Sequence, residues 1–406
     1  MPPRFIQRSL APVLKRAAAE FPVVVLTGPR QSGKTTLLKH LFRGRYTYVS
    51  LEPPDVRATA VADPRGFLDG HPPPAIFDEV QYAPDLLFYI KERVDARRDV
   101  PGQYLLTGSQ NLGLMQQVGE SLAGRAAILR LLPLSRREAA GKPHRRLPWE
   151  TGTAPRGQAS GRTAMWSEFL RGGYPELAAQ PRRDPVLWHS SYVQTYLERD
   201  VRSLRQVADL TQFQSFVRAL AARSAQLVHF TDLARDLGVA VNTVKAWLSV
   251  LEATYQVIIL RPYYANVGKR LVKTPKVYFT DVGTLCHLTG LRDPGHAAAG
   301  PLGGAILETA VLTEIVRTLT HRGIDPQVYF WRTSTGVEVD FVVEVEGSLV
   351  PIEVKMSATP RAAMAAGIRA FRCDLGDRSV PGYVIHGGDT RLPLGPDATA
   401  WPFAWL

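Results

Sequence analysis

Eight residues near the amino terminus combine the glycines and side chains that bind phosphate. Residues 28–35 read Gly-Pro-Arg-Gln-Ser-Gly-Lys-Thr. The two glycines let backbone amides curl around the β-phosphate of a nucleotide, and the helix expected to begin there adds a favourable dipole. Lys34 is expected to reach the β- and γ-oxygens, while the Thr35 hydroxyl ligates magnesium. The pattern predicts a site for ATP and Mg²⁺ formed by Gly28, Pro29, Arg30, Gln31, Ser32, Gly33, Lys34, Thr35 and Thr36.

An acidic pair follows a later apolar segment. Asp78 and Glu79 come directly after Ala75-Ile-Phe77. An acidic residue at the end of a strand can hold the magnesium hydration shell, and its neighbour can polarise the attacking water. A solvated turn is the alternative for an isolated Asp-Glu pair. In the context of the glycine loop, we assign Asp78 to the metal and Glu79 to catalysis.

Two further polar positions are candidates for catalysis. Thr107-Gly-Ser-Gln-Asn111 follows an apolar segment, and we predict that Asn111 lies between the γ-phosphate and Glu79. A turn with ordinary capping residues is the alternative. Arg125 follows a helical segment, and an arginine presented to a neighbouring subunit's γ-phosphate stabilises transition-state charge.

The elements that must position these residues are strands separated by segments of helical length. Strands are predicted at 21–27, 46–51, 75–77 and 103–107, which indicates an α/β fold with a parallel sheet. Gly, Pro, Arg, Ser and Thr dominate 141–164 and indicate a linker. The predicted parts are an ATPase core at 1–140, the linker, a helical lid or connector at 165–221, a winged helix-turn-helix at 222–285, and an α/β domain at 286–406.

Composition limits the class of protein. The chain has 406 residues, 45% hydrophobic residues and a net charge of +12. No apolar stretch approaches the ~18 residues of a membrane span, so we expect no membrane partner. Only Cys286 and Cys373 are present, and together with the absence of a signal peptide this favours the cytoplasm. The excess of basic residues favours a polyanionic partner, although a GC-rich genome would also produce an arginine-rich chain.

Residues 226–251 have the spacing of a helix-turn-helix. Gly238 makes the turn between two apolar helical faces. The second helix would direct Asn242, Thr243 and Lys245 toward a DNA groove. The strand pair that follows, with Lys269, Arg270 and Lys273 between its strands, resembles a basic wing. A scaffold for contacts between proteins is the alternative.

Carboxylates and a lysine recur in the last hundred residues. Glu353 and Lys355 share one face of a predicted strand, and a neighbouring strand carries Asp340. Two carboxylates and a lysine so placed could surround one magnesium ion and activate water. The arrangement resembles the PD-(D/E)xK nuclease superfamily, which implies a restriction-endonuclease-like fold. The resemblance adds Glu308 as the helical glutamate, and Val339-Asp340 replaces the usual Pro-Asp. An exposed strand with alternating charges is the alternative.

The order of the motifs resembles a family of prokaryotic AAA+ ATPases whose carboxyl-terminal half is a domain of unknown function. The glycine loop, Asp78-Glu-Val-Gln81, Thr107-Gly-Ser-Gln-Asn111, Ser121-Leu-Ala-Gly-Arg125 and Gly172-Gly-Tyr-Pro-Glu176 carry the resemblance, together with residues 196–200. It implies that Arg125 acts on a neighbouring subunit in an oligomer, a hexamer in such ATPases. It also implies that Arg171 or Arg199 completes the nucleotide pocket.

Two functions follow from these patterns. The first is an oligomeric Mg²⁺-dependent ATPase that binds duplex or branched DNA and remodels it or translocates on it, with a nuclease-like domain. The second is an ATP-dependent regulatory switch that binds a partner protein without processing DNA. Both share the same amino-terminal half, so binding to DNA would separate them.

Overall fold

The structure is a computed structural model, and it describes residues 5–108, 118–152, 161–196, 201, 207, 209–263 and 274–406. These residues form an amino-terminal part around a parallel sheet, a helical middle part and a carboxyl-terminal part around a mixed sheet.

The amino-terminal sheet has five parallel strands in the order β2-β3-β4-β1-β5. All residues of β1, β3 and β4 are buried, as expected for the centre of a sheet covered on both faces. The strands are β1 (Val23–Thr27), β2 (Thr47–Ser50), β3 (Ala75–Asp78), β4 (Tyr104–Thr107) and β5 (Ala126–Arg130). The four predicted strands are therefore present, and β5 is an addition that the sequence did not indicate.

Helices cover both faces of this sheet because alternate residues of each strand point to opposite faces. Val24, Leu26 and Leu105 pack with Leu14 and Leu37 on one face. The opposite face of the sheet packs against α4 and α5. The helices are α1 (Ala11–Glu20), α2 (Lys34–Leu41), α3 (Pro54–Ala62), α4 (Pro64–Gly70), α5 (Leu86–Asp95), α6 (Arg136–Ala139) and α7 (Pro148–Thr151).

The middle part is mostly helical and ends in an antiparallel strand pair. Gly238, in the left-handed conformation at φ 66°, ends α12, and α13 begins three residues later. The elements are α8 (Arg162–Arg171), α9 (Pro175–Ala179), α10 (Pro185–Tyr196), α11 (Leu210–Ala221), α12 (Phe230–Leu237), α13 (Val241–Ala253), β6 (Val257–Leu260), β7 (Lys276–Phe279) and α14 (Val282–Leu288).

The carboxyl-terminal part surrounds a six-stranded mixed sheet in the order β12-β13-β11-β10-β9-β8. Its elements are α15 (Pro294–Ala299), α16 (Gly303–His321), β8 (Val328–Arg332), β9 (Glu338–Val345), β10 (Ser348–Lys355), α17 (Ala366–Leu375), β11 (Gly382–His386), β12 (Leu392–Pro393) and β13 (Ala398–Pro402). One apolar core includes Trp166, Phe213, Trp247 and Val343. The middle and carboxyl-terminal parts therefore share a core, and α16 is buried along almost its whole length.

Candidate nucleotide site and its surroundings

The glycine loop lies between β1 and α2. Gly28 has φ 143°, and a Cβ at this position would collide with the carbonyl oxygen of Leu131 on the neighbouring chain segment. Gly33 has φ 93° and precedes the first residue of α2. Both positions favour glycine because side chains are strained or excluded there. The loop backbone can therefore turn tightly enough to surround a phosphate group.

Lys34 folds across this loop. Its Nζ donates to the carbonyl oxygens of Gly28 at 3.0 Å and Pro29 at 2.9 Å, and only 5% of the residue is exposed. An ammonium group held by neutral carbonyls can exchange them for charged phosphate oxygens, which form stronger hydrogen bonds. This is the position that the sequence predicts for the phosphate-binding lysine.

Thr35 and Asp78 lie in direct contact. The Thr35 hydroxyl is 2.9 Å and 3.0 Å from the two carboxylate oxygens of Asp78. Parallel strands place the end of β1 and the end of β3 at the same edge of the sheet, so residues 43 positions apart meet there. Hydroxyl and carboxylate oxygens are ligands that Mg²⁺ prefers, and these two residues fit such an ion.

Two residues that the sequence did not assign to the site hold Asp78 in place. Tyr48 from β2 donates its hydroxyl to Asp78 at 2.7 Å, and the Thr107 hydroxyl from β4 donates to the other carboxylate oxygen. Burial and the hydrogen bond to Asp78 raise the pKa of Tyr48, so it remains a donor. The position of Thr107 at a strand end could have indicated its role. The role of Tyr48 could not be predicted, because its contact with Asp78 requires that β2 lies beside β3.

Glu79 lies beside Asp78 in the left-handed conformation at φ 58°. Its backbone amide donates to the Thr107 hydroxyl at 3.2 Å, so Thr107 links the Asp78 side chain to the Glu79 backbone. The side-chain amide of Gln81 donates to the Glu79 carboxylate. The Glu79 carboxylate is thus at the same sheet edge as the loop, as required for a group that polarises water.

Arg8 anchors the outer side of the loop. Its Nη1 donates to the Ser32 carbonyl oxygen at 2.7 Å, and its Nε lies 3.2 Å from Oε1 of Glu138. His321 of α16 lies 3.1 Å from the other oxygen of Glu138. Arg8, Glu138 and His321 therefore form a buried cluster that connects the loop to the carboxyl-terminal part. No sequence pattern predicted this cluster.

Burial and neighbouring charges set the protonation states of Glu138 and His321. Burial alone would raise the pKa of Glu138, but the Arg8 guanidinium and His321 outweigh burial and hold that pKa well below its usual range. Burial lowers the pKa of His321 despite the nearby Glu138 carboxylate. A neutral His321 donates from Nδ1 to Glu138 and accepts at Nε2 from the Leu132 amide at 3.1 Å.

A cavity of about 360 Å³ lies beside the loop. Gln31 forms one wall, and Trp188 and Tyr192 of α10 form another. Their rings are stacked with centroids 5.3 Å apart. Pro175 lies near Gly33, so the predicted Gly-Gly-Tyr-Pro-Glu segment borders the nucleotide site.

Arg171 is not directed at the nucleotide. Its Nε donates to the Leu177 carbonyl oxygen at 2.9 Å and its Nη2 to that of Gln180 at 2.6 Å, so it fixes the chain around α9. This geometry does not favour Arg171 as the residue that completes the nucleotide pocket. Arg199, the other candidate, and Asn111 lie outside the described residues.

Arg125 lies at the opposite edge of the sheet from the loop. Arg125 directly precedes β5, and the first residue of β5 pairs with the first residue of β1. The glycine loop follows the other end of β1. Its Nε and Nη2 lie 2.5 Å and 3.0 Å from the carboxylate of Asp95. A full strand separates Arg125 from Lys34, so Arg125 cannot contact the nucleotide bound to its own chain.

The predicted DNA-contacting face of α13 is largely exposed. Asn242 and Lys245 are exposed and Thr243 is half-buried, while Val244 and Trp247 are buried against the core. Lys269, Arg270 and Lys273 lie outside the described residues.

The carboxyl-terminal carboxylates lie close together with the predicted Lys355, and a second lysine, Lys276, lies among them. Lys355 Nζ is 2.6 Å from Glu353 and 4.0 Å from Asp340. Lys276 Nζ of β7 is 3.2 Å from Glu308. Burial and the Asp340 charge raise the pKa of Glu308 to about 7 and that of Glu353 to about 8.

This cluster does not fit a divalent cation as arranged. Lys276 also lies 2.5 Å from Glu338, so its ammonium takes the place between carboxylates that a metal ion would need. Across the ranges given above, no three His, Cys, Asp or Glu side chains are grouped to hold a metal ion. The proposed ligands Glu308, Asp340 and Glu353 are neighbours, but no step of metal-dependent cleavage follows from them.

Comparison with known proteins assigns families to three parts of the chain. Residues 20–140 match the family described as AAA domain. Residues 162–295 match a domain of unknown function (DUF8612), and residues 303–406 match another domain of unknown function (DUF4143). The sheet, the glycine loop and the Thr35–Asp78 pair thus define a P-loop ATPase of the AAA+ type.

Two relatives match this chain along almost its whole length. The uncharacterized proteins Rv2008c of Mycobacterium tuberculosis and Mb2031c of Mycobacterium bovis are each 32% identical over 399 residues, covering 98% of this chain and 83% of theirs. The chain belongs to the family of these mycobacterial proteins. No helix among the placed residues is both long and apolar enough to cross a membrane.

Solved structures also match part of this chain. The Walker-type ATPase PABY2304 of Pyrococcus abyssi is 15% identical, with a TM-score of 0.45, over 70% of this chain and 96% of that one. A RuvB variant of Thermotoga maritima is 19% identical, with a TM-score of 0.27, over 62% of this chain and 85% of that one.

Proposed function

We propose that this AAA+ ATPase is Mg²⁺-dependent and oligomeric, and that it uses ATP hydrolysis to remodel DNA or translocate on it. The observation that carries the DNA assignment is the exposed face of α13. This helix follows α12 after a three-residue turn and precedes the β6–β7 strand pair. This order of elements is that of a winged helix-turn-helix, in which the second helix enters the major groove.

The residues of the nucleotide site divide the chemistry among them. Lys34 and the loop amides bind the phosphates, and Thr35 and Asp78 hold Mg²⁺, which neutralises charge on the phosphate oxygens when bound. Glu79 polarises the attacking water from its position beside Asp78. The cavity lined by Gln31, Trp188 and Tyr192 offers an aromatic wall for the nucleotide base.

The position of Arg125 supports the proposal that the protein oligomerises. Because Arg125 lies a full strand away from its own loop, it can stabilise transition-state charge only at the site of a second copy. We propose a ring, a hexamer by resemblance to related ATPases, in which the Asp95 ion pair opens when Arg125 meets the neighbouring nucleotide.

Support for DNA also comes from charge. The net charge of +12 favours a phosphate-rich partner, and Lys245 offers an exposed cation on α13. Asn242, also exposed, suits base-edge contacts, because asparagine can pair with adenine through two hydrogen bonds.

A low-salt binding panel tests this proposal. Fluorescence anisotropy would be measured with labelled duplex, single-stranded and four-way-junction DNA, with and without ATP. Binding that weakens with salt and weakens further in Lys245→Ala and Asn242→Ala supports DNA contact through α13. Lys15→Ala, which removes an exposed lysine on α1, is the matched control. No affinity for any DNA form at low salt would refute the proposal.

The regulatory switch is the second candidate, and one contact favours it. The hydroxyl of Tyr255, two residues before β6, lies 3.1 Å from the Thr27 hydroxyl at the end of β1. A change in the glycine loop on nucleotide binding would therefore reach the middle part directly. Under this alternative the middle part binds a partner protein, and the DNA panel shows no affinity.

A further inference from the structure

A cavity separate from the nucleotide site lies where the three parts of the chain meet. Its volume is about 430 Å³, within the range of small-molecule sites. The segment around α6, the end of α8, one face of α16 and residues 403–406 form its walls. Ala139, Ala140 and Lys142 are exposed at its rim, so the cavity reaches the surface.

The walls carry more cations than carboxylates. Six basic side chains line the cavity, against two acidic ones, Glu168 and Glu314. Glu168 pairs with Arg136 at 2.8 Å, and Glu314 pairs with Arg137 at 3.2 Å. The six basic side chains are Arg136, Arg137, Lys142, Arg145, Arg171 and Arg317.

Three of these cations have no carboxylate partner within the part of the chain that the structure describes. Arg317 does pair with Asp281, at 3.2 Å, which leaves Lys142, Arg145 and Arg171. The side chain of Arg145 donates to the Trp405 carbonyl oxygen at 2.6 Å, a neutral partner. Burial and, to a lesser degree, the neighbouring Arg136 charge lower the pKa of Arg145, while the Glu314 carboxylate opposes this shift.

Two buried donors in the walls are also unsatisfied. The Nε atoms of Arg137 and Arg317 have no hydrogen-bond partner among the residues placed here, although each guanidinium is buried. Burying a charged donor without a partner costs free energy, so native proteins rarely leave one unpaired without a reason. Both Nε atoms are shielded from solvent, so these two side chains would offer an anion in the cavity their charge and not a hydrogen bond from Nε.

The remaining wall is apolar. Phe169 and Phe403 lie 5.2 Å apart between ring centroids and line the cavity with Leu134 and Val282. The Arg136 guanidinium lies 4.7 Å from the centre of the Phe403 ring. A ligand for this cavity therefore needs an apolar body beside its negative group.

We propose that this cavity binds a small organic anion, with a carboxylate, sulfonate or phosphate held by Arg145 and Lys142 and an apolar body held by Phe169 and Phe403. This site is separate from the glycine loop. Because α6 and α16 also carry Glu138 and His321, the bound molecule would contact the two elements that anchor Arg8.

Binding of 8-anilinonaphthalene-1-sulfonate tests the proposal, because the probe joins a sulfonate to an aromatic body. Titration of the full chain, followed by fluorescence, is expected to show one probe molecule per chain. Its uncharged analogue N-phenyl-1-naphthylamine is expected to bind about tenfold more weakly, since one charge-assisted contact is worth about that factor.

Substitutions in the cavity wall test whether the probe binds in this cavity. Ala140→Trp fills the rim and Arg145→Met removes one cation, and each is expected to weaken sulfonate binding about tenfold. Arg145→Met should also remove the preference for the sulfonate over its uncharged analogue. Lys15→Met on α1 is the matched control and should bind normally. Circular dichroism confirms that each variant is folded.

Three results would overturn the proposal. The first is equal affinity for the charged and uncharged probes in the unaltered chain. The second is unchanged sulfonate binding in both folded variants. The third is displacement of the probe by a magnesium complex of adenosine 5′-O-(3-thiotriphosphate), which would place it in the nucleotide site.

Discussion

Arg8 donates a 2.7 Å hydrogen bond from Nη1 to the carbonyl oxygen of Ser32, the residue before the second glycine of the phosphate loop. The same guanidinium pairs with the buried Glu138, which His321 contacts from α16. The loop that binds phosphate is therefore attached to the carboxyl-terminal part of the chain through three buried side chains.

Arg8→Met should strongly destabilise the protein. Glu138 would then remain buried without its guanidinium partner, and breaking one side of a buried ion pair costs ~3–5 kcal/mol. We expect the melting temperature to fall by roughly 6 °C or more, at ~2–4 °C per kcal/mol. Adding Glu138→Gln to Arg8→Met should recover part of the loss, because it removes the unpaired charge. Arg16→Met, at an exposed site on α1, should have little effect. A melting temperature unchanged by Arg8→Met would show that the cluster does not stabilise the chain.

Glu79→Gln should separate nucleotide binding from turnover. The variant keeps the size of the side chain but cannot polarise water, so we expect ATP hydrolysis to fall ~10²–10⁴-fold with ATP affinity preserved. Lys34→Ala should abolish hydrolysis. Asp85→Asn, an exposed change a few residues away, is the control. Normal turnover in Glu79→Gln, measured by phosphate release, would show that the water-polarising assignment is wrong.

Arg125→Ala should reduce turnover by ~10³-fold or more while leaving the nucleotide affinity of a single subunit intact. ATP hydrolysis by a mixture of two inactive variants tests the action between subunits more directly. Lys34→Ala subunits lack turnover but keep Arg125, so adding them to Arg125→Ala subunits should restore ATP hydrolysis in mixed oligomers. Arg98→Ala removes a nearby exposed arginine and should remain active. Without any restoration on mixing, the action of Arg125 on a neighbouring subunit is refuted.

Glu353→Gln should change how stability depends on pH. The pKa of Glu353 is raised from its ordinary value of 4.5 to about 8 in the folded chain. Between these two pH values the folded chain therefore keeps a proton on Glu353 that the unfolded chain has released. That contribution to stability is complete below pH ~4.5 and is lost as the pH rises through about 8. The variant should therefore melt higher than the unaltered chain at pH 8.5, by roughly 10 °C at ~1.4 kcal/mol per pKa unit and ~2–4 °C per kcal/mol, with a much smaller difference at pH 5. Glu346→Gln, at an exposed site, controls for the loss of charge. A parallel pH profile for both proteins would contradict the prediction.

The strands that carry the nucleotide site were predictable because each is a short apolar segment ending in residues with an obvious chemical use. Thr35 and Asp78 follow such segments, and parallel pairing brings them together. In contrast, β5 has mixed exposure and starts with two alanines, so its sequence does not resemble a buried strand. The strand β11 pairs with β10 in parallel, an arrangement that the periodicity of neither strand specifies.

The sequence by itself determined that Gly28, Gly33, Lys34 and Thr35 lie together in one glycine loop, since their arrangement depends on local backbone geometry. It also determined that Glu353 and Lys355 share a face, because strand side chains alternate with a period of two. Only the tertiary structure decided that Lys276 lies among the carboxylates and that Arg8 holds the loop to Glu138. Those contacts join residues far apart in the chain, and their energies depend on burial and on the charges of neighbours, which no local pattern records.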